Sequence, residues 1–218
     1  MTLANKITAS RLILAPIFFI IYLLPRFFPS IFAIPSGDGT FLYIGAPWSV
    51  VVLWILFVGS EFTDLLDGMV ARKRGEVSDS GKLFDPFADT LTQVTFFFCF
   101  VIDGILSPVL FLVVLYREFS ILFIRNLMLK KGVAMGARMG GKIKTVAYVS
   151  AGALALLASS TQRLGMDSEF FRFFGTAASA VFAVSVIIAV ISFFDYVLVY
   201  RKAANSKQGT DSQQDGAQ

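Results

Sequence analysis

Charged residues divide the chain into apolar runs. Leu12 to Pro25 lies between Arg11 and Arg26, and Phe41 to Ser60 carries no charge. Thr90 to Ile102, Gly104 to Tyr116, Thr145 to Gln162 and Phe173 to Phe194 follow. A helix needs about 20 mostly apolar residues to cross a bilayer. The shorter runs reach that length if charged residues sit near the span ends or face an internal cavity. The pattern predicts six helices, near 5–25, 47–74, 81–103, 107–130, 140–162 and 173–201. Turn signals fall between them at Pro35-Ser36-Gly37-Asp38-Gly39, at Ser107-Pro108 and from Gly132 through Gly141. Residues 203–218 are small, polar and Gln-rich, which predicts a disordered tail behind a six-helix membrane domain over 1–202.

Composition strengthens the membrane reading. Of 218 residues, 56% are hydrophobic and only 16% charged, against about 25% charged in soluble domains. The net charge of +4 is assigned to basic cytoplasmic loops rather than to nucleic-acid binding. One side of the six-span arrangement collects Lys6, Arg11, Arg72, Lys73, Arg74, Lys82, Lys130, Lys131, Arg138, Lys142, Lys144, Arg201 and Lys202. The other holds Arg26, Arg163 and Arg172. The first side, with both termini, is therefore expected in the cytoplasm, in a multi-pass protein of the cell membrane. The first run reads as a membrane helix rather than a cleaved leader, because no small-residue cleavage site follows it at the usual distance. Histidine is absent and Cys99 is the only cysteine. These counts exclude an internal disulfide, His-dependent hydrolase schemes and His-ligated zinc. Any metal must be a hard cation on oxygen ligands.

Intramembrane acids are costly, and they are functional hypotheses by default. Asp64 and Asp67 stand three apart at the end of the second predicted helix; Asp85 and Asp89 stand four apart at the start of the third. Each spacing places its pair on one helix face, and a short basic loop joins the two helices. Four carboxylates in one pocket repel unless a cation neutralises them, which suggests Mg²⁺ or Mn²⁺ with room for two ions. Gly68 and Ala71 leave space beside the helix, Arg72 offers a planar fork to phosphate, Ser78 a hydroxyl, and Gly81 opens the next helix.

The pattern Asp64-x-x-Asp67-Gly68-x-x-Ala71-Arg72, then Gly81-x-x-x-Asp85-x-x-x-Asp89, resembles the signature of the CDP-alcohol phosphotransferases. The resemblance implies an all-α integral membrane fold of six transmembrane helices, usually homodimeric, with a site open to the cytoplasm. It implies that an alcohol displaces CMP from a CDP-linked lipid, with two metals on Asp64, Asp67, Asp85 and Asp89. It also makes Asp89 the base, and gives Gly68, Arg72 and Ser78 contacts with the CDP group; Ala71 and Gly81 are placed with them. Arg117-Glu118, Arg125, Gly141-Lys142-x-Lys144-Thr145 and the start Asn5-x-x-Thr8-x-x-Arg11 with Pro16 further resemble the branch of that family that makes phosphatidylglycerophosphate. Thr2-Leu3-Ala4 stands where that branch carries Asn-Ile-Pro, and the stretch from Phe27 to Trp48 has no counterpart. The implied substrates are CDP-diacylglycerol and sn-glycerol 3-phosphate, with Arg117, Arg125, Lys142 and Lys144 around the acceptor phosphate.

Alternatives are the same chemistry on serine, inositol phosphate or a phosphocholine-type alcohol, and a transporter that uses the acids as an ion path. Adjacent helical residues diverge, so no direct Arg117–Glu118 bridge is expected. Asp103 and Asp195 read as interfacial, and Tyr196, Tyr200 and Trp48 as interfacial-belt residues. Ala151, Gly152, Ala153 and Ala155 offer close helix packing or a dimer seam.

Overall fold

A computed structural model of the chain describes the backbone of residues 3–28, 34–35, 41–42, 47–74, 79–130 and 139–215; side chains are described for 8–28, 47–63, 84–129, 141 and 143–201. Six helices account for nearly all of it: α1 Leu3–Phe27, α2 Pro47–Arg74, α3 Asp79–Ile102, α4 Pro108–Lys130, α5 Met139–Arg163 and α6 Ser168–Asp215. They agree with the six predicted ones in number and order. The exception to an all-helical fold is a two-residue antiparallel strand pair, β1 Ile34–Pro35 and β2 Phe41–Leu42, with Ile34 opposite Leu42. It lies in the unmatched stretch before α2. Among the described residues, Thr8–Phe27, Ile143–Arg163 and Ser168–Arg201 are long and apolar enough to cross a membrane. The backbone of α6 runs on as helix to Asp215, beyond the expected boundary at Lys202.

Two of the connections are built by the same local chemistry. After α3, Gly104 takes a left-handed φ of 71°, its N–H bonds to Val101 O at 3.0 Å, and Ile105 N–H reaches back to Phe100 O at 2.9 Å. This is a Schellman C-cap, which a residue with a Cβ would strain. Ser107 then caps α4 through its hydroxyl to Leu110 N–H at 3.5 Å, with Pro108 at the first helical position. After α5, Gly165 at φ 64° and Met166 N–H to Thr161 O at 3.0 Å repeat the stop. The Asp167 carboxylate then accepts the Glu169 N–H at 3.2 Å and starts α6.

The core is aromatic. Phe18, Phe57 and Phe96 form a chain with ring centroids 4.4 and 5.2 Å apart, and Phe97 meets Phe182 at 4.9 Å and Tyr148 at 5.3 Å. Other phenylalanines, among them Phe123, Phe173 and Phe194, face outward, as a hydrocarbon solvent allows. The small residues of α5 pack inside the chain: Ala151 and Ala155 are fully buried, and a Cβ on Gly152 would stand 3.1 Å from the Phe57 ring. This internal packing takes up the close-approach stripe that could have made a dimer seam.

Polar groups close the end of the bundle that carries the α3–α4 and α5–α6 turns. Arg163 donates to Tyr22 O at 2.8 Å, Ser159 Oγ at 3.1 Å and Ser49 Oγ at 3.4 Å, and its guanidinium lies 4.5 Å from the Tyr22 ring. Tyr22 in turn donates to Asp103 at 2.6 Å. Asp103 is thus tied into the bundle rather than simply interfacial. These contacts tie α1, α2 and α5 to the end of α3. Removing a buried charged partner leaves the others desolvated and unpaired. Arg163→Ala leaves these buried acceptors without their donor and is therefore expected to cost about 1–3 kcal/mol of stability, read as a lowered thermal midpoint of the detergent-solubilised protein.

Candidate active site

The opposite end of the bundle gathers the candidate chemistry. Asp85 and Asp89 lie on α3 one turn apart, as their spacing predicts. They do different things. Asp85 turns to α1 and accepts a hydrogen bond from Thr8 Oγ1 at 2.7 Å. Asp89 opens onto a cavity of about 190 Å³ between α3, α4, α5 and α6. Pro86 sits between them; because α3 begins at Asp79, this proline lies beyond the first turn and removes one backbone bond from the helix.

Three predicted cations line that same cavity: Arg117 and Arg125 from α4, and Lys144 from α5. Glu118 and Tyr196 join them, so among the described residues three cations face two carboxylates, Glu118 and Asp89. The site is a positively biased pocket with a carboxylate at one wall, suited to an anion that carries a hydroxyl.

The cations are held unequally. Arg117 is 7% exposed and donates through Nε to Ala189 O at 3.1 Å and through Nη2 to Ser192 Oγ at 3.4 Å. Its Nη1 meets Glu118 Oε1 at 2.8 Å. The expectation that these neighbours would not bridge is therefore wrong. Both side chains point into the bundle interior, where the only way to avoid unpaired charge in a low-dielectric setting is to bend together. Lys144 Nζ donates to the same Oε1 at 3.0 Å and lies 4.7 Å from the Tyr148 ring centre. Arg125 instead donates through Nη2 to the Tyr196 hydroxyl at 3.0 Å, and its buried Nε has no hydrogen-bond partner among the described residues.

Several predicted positions fall elsewhere. The side chains of Asp64, Asp67, Gly68, Ala71, Arg72, Gly81 and Lys142 lie outside the described residues, as does Ser78 altogether. The meeting of the two aspartate pairs is accordingly not described. Among the described residues no cluster of three or more metal-ligating acids, histidines or cysteines occurs. The donor types that are described fit a hard cation, since Asp85 and Asp89 carry carboxylate oxygens one turn apart.

Sequence reading left two contributors without a role. Tyr196 reads as a belt residue, and Glu118 enters only as part of the Arg117-Glu118 motif. The signal for Tyr196 was a stripe of small and polar residues in the mostly apolar run of α6: Ser185, Ala189, Ser192 and Tyr196 recur at helical spacing, and all are buried.

A family profile for CDP-alcohol phosphatidyltransferase matches residues 1–191, and the chain belongs to that family of membrane transferases. Curated relatives refine the likeness. A Treponema pallidum CDP-diacylglycerol–glycerol-3-phosphate 3-phosphatidyltransferase is 36% identical over 202 residues, covering 92% of this chain and 89% of the relative. The enzyme of the same name from Bacillus subtilis is 34% identical over 155 residues, 71% of this chain and 76% of its own. A probable phosphatidylglycerophosphate synthase of Mycobacterium tuberculosis is 28% identical over 197 residues, 89% and 79% of the two chains.

Proposed function

We propose that the chain transfers the phosphatidyl group of CDP-diacylglycerol to sn-glycerol 3-phosphate, releasing CMP and forming phosphatidylglycerophosphate. The observation that carries this reading is the shared cavity. Asp89 opens onto the same space as Arg117, Arg125 and Lys144, so a base faces a phosphate-sized cationic pocket. Serine, a zwitterion with one carboxylate and no net charge, would match the cationic end of this pocket less well than a phosphate monoester, which supplies close to two negative charges. The names of the relatives support the same acceptor.

In the proposed reaction the acceptor phosphate rests against the cations, which leaves its free hydroxyl near Asp89. Asp89 takes the hydroxyl proton as the oxygen attacks the phosphorus that carries the diacylglycerol. The new P–O bond forms while the bond to the CMP phosphate breaks, and CMP leaves with the electron pair. Asp64, Asp67, Asp85 and Asp89 would hold Mg²⁺ or Mn²⁺, two ions in all; when bound, such ions neutralise the pyrophosphate and the departing CMP. Thr8 fixes one Asp85 oxygen and so sets the orientation of that ligand. Gly68, Ala71, Arg72, Ser78 and Gly81 would cradle the CDP group.

The membrane reading extends in the same way. All six helices are proposed to span, with residues 1–202 as the catalytic domain, both termini and the site at the cytoplasmic face of the cell membrane, and the chain assembled as a homodimer. The basic residues cluster on that side, and a site at the membrane face lets the acyl chains of the donor stay in the bilayer.

Purified protein in detergent, given CDP-diacylglycerol and a panel of acceptors, tests the proposal. CMP release is expected with glycerol 3-phosphate, to be lost with EDTA and restored by Mg²⁺ or Mn²⁺. Release that depends on serine or inositol phosphate instead would overturn the acceptor.

A further inference from the structure

The three cavity cations differ in what neutralises them. Arg117 and Lys144 share the Glu118 carboxylate, at 2.8 and 3.0 Å. Arg125 meets no carboxylate among the described residues. Its contacts are to one neutral residue, Tyr196, whose hydroxyl accepts from Nη2 at 3.0 Å and whose ring centre lies 5.6 Å from the guanidinium carbon. Its Nε is a buried donor with no partner there. Leaving such a donor unsatisfied is costly unless a ligand completes it.

We infer that Tyr196 is a positioning residue for acceptor selectivity: it holds Arg125 as the one cavity cation, among the described residues, that has no carboxylate partner and keeps an open donor to recognise the acceptor's phosphate. The inference rests on the acceptor reading above and deepens it.

The choice of a phenol follows from the charges. A long arginine side chain has many rotamers, and fixing it in advance removes part of the cost of binding. A carboxylate in place of Tyr196 would fix it too, but would neutralise the guanidinium and repel a phosphate dianion. The Tyr196 hydroxyl accepts a hydrogen bond without bringing a charge, and its ring adds a face for the cation. The buried position of Tyr196 on α6 gives it a rigid base. Arg125 sits two turns along α4 from Arg117, so the clamp formed by Glu118 leaves this end of the pocket untouched.

Tyr196→Phe keeps the ring and deletes the acceptor oxygen. Steady-state kinetics of the full chain in detergent should show KM for glycerol 3-phosphate rising about tenfold, which is about 1.4 kcal/mol. The expected kcat stays within about twofold of wild type, and KM for CDP-diacylglycerol is unchanged. In an Arg125→Ala background the same substitution should add less than about twofold, because the two residues act as one unit. A silent Tyr196→Phe, equal shifts in both KM values, full additivity with Arg125→Ala, or loss of CDP-diacylglycerol saturation would each overturn the inference. If wild-type protein releases no CMP in response to glycerol 3-phosphate, the acceptor reading falls first and the inference with it.

Discussion

Asp89→Asn is expected to lower kcat by about three to four orders of magnitude, at the upper end of what a positioned general base contributes. The amide matches the carboxylate in shape and keeps one oxygen toward the site, but it cannot take a proton. Asp89 is placed for that step by its position on the cavity wall, whereas Asp85 is turned to Thr8. Because Asp89 is also a proposed metal ligand, the assay is run at saturating Mg²⁺; the expected signature is then a fall in kcat with KM for glycerol 3-phosphate changed by less than about threefold, since loss of the proton acceptor leaves ground-state binding of the acceptor in place. Single-turnover assays with enzyme in excess over CDP-diacylglycerol would show the same loss, which rules out slow product release as the cause. Turnover retained at more than about a tenth of wild type would remove Asp89 from the role of base.

The sequence made the helices legible because hydrocarbon imposes a simple rule. Every backbone polar group must be satisfied within its own segment, so uninterrupted apolar runs have little choice but helix. The stops were legible where a residue type is required: Gly104 and Gly165 both take left-handed φ at helix ends, although only the Ser107-Pro108 signal was read in advance. The strand pair from Ile34 to Leu42 was not foreseen, because two residues per strand leave no periodicity to detect. In the site, residues with charge announced themselves: Asp89, Arg117, Arg125 and Lys144 all line the one cavity. What remained hidden is how those charges are shared. A helical wheel places neighbours apart, yet burial forced Arg117 and Glu118 together at 2.8 Å. Tyr196 was hidden for a related reason, since a tyrosine near a span end fits both a headgroup belt and a buried hydrogen bond.

Glu118 offers the second large effect. Its single Oε1 accepts from both Arg117 and Lys144, and the residue is 5% exposed. Glu118→Gln retains the volume but removes the carboxylate that Arg117 and Lys144 share. Breaking a buried ion pair by deleting one partner costs about 3–5 kcal/mol, because the remaining charge is stranded in a low dielectric. The fold therefore loses stability, and the cavity shifts from three cations against two carboxylates to three against one. That change has a direction of its own. Inorganic phosphate should bind the variant about tenfold more tightly than it binds wild type, as a competitor of glycerol 3-phosphate, and should raise its thermal midpoint further, since a ligand stabilises the state it binds by mass action. A merely structural carboxylate, remote from the pocket, would give the stability loss without the phosphate rescue. The pair of measurements, a thermal midpoint with and without phosphate and a competitive inhibition constant, therefore separates a glutamate that sets the charge of the acceptor pocket from one that only holds α4 to α5.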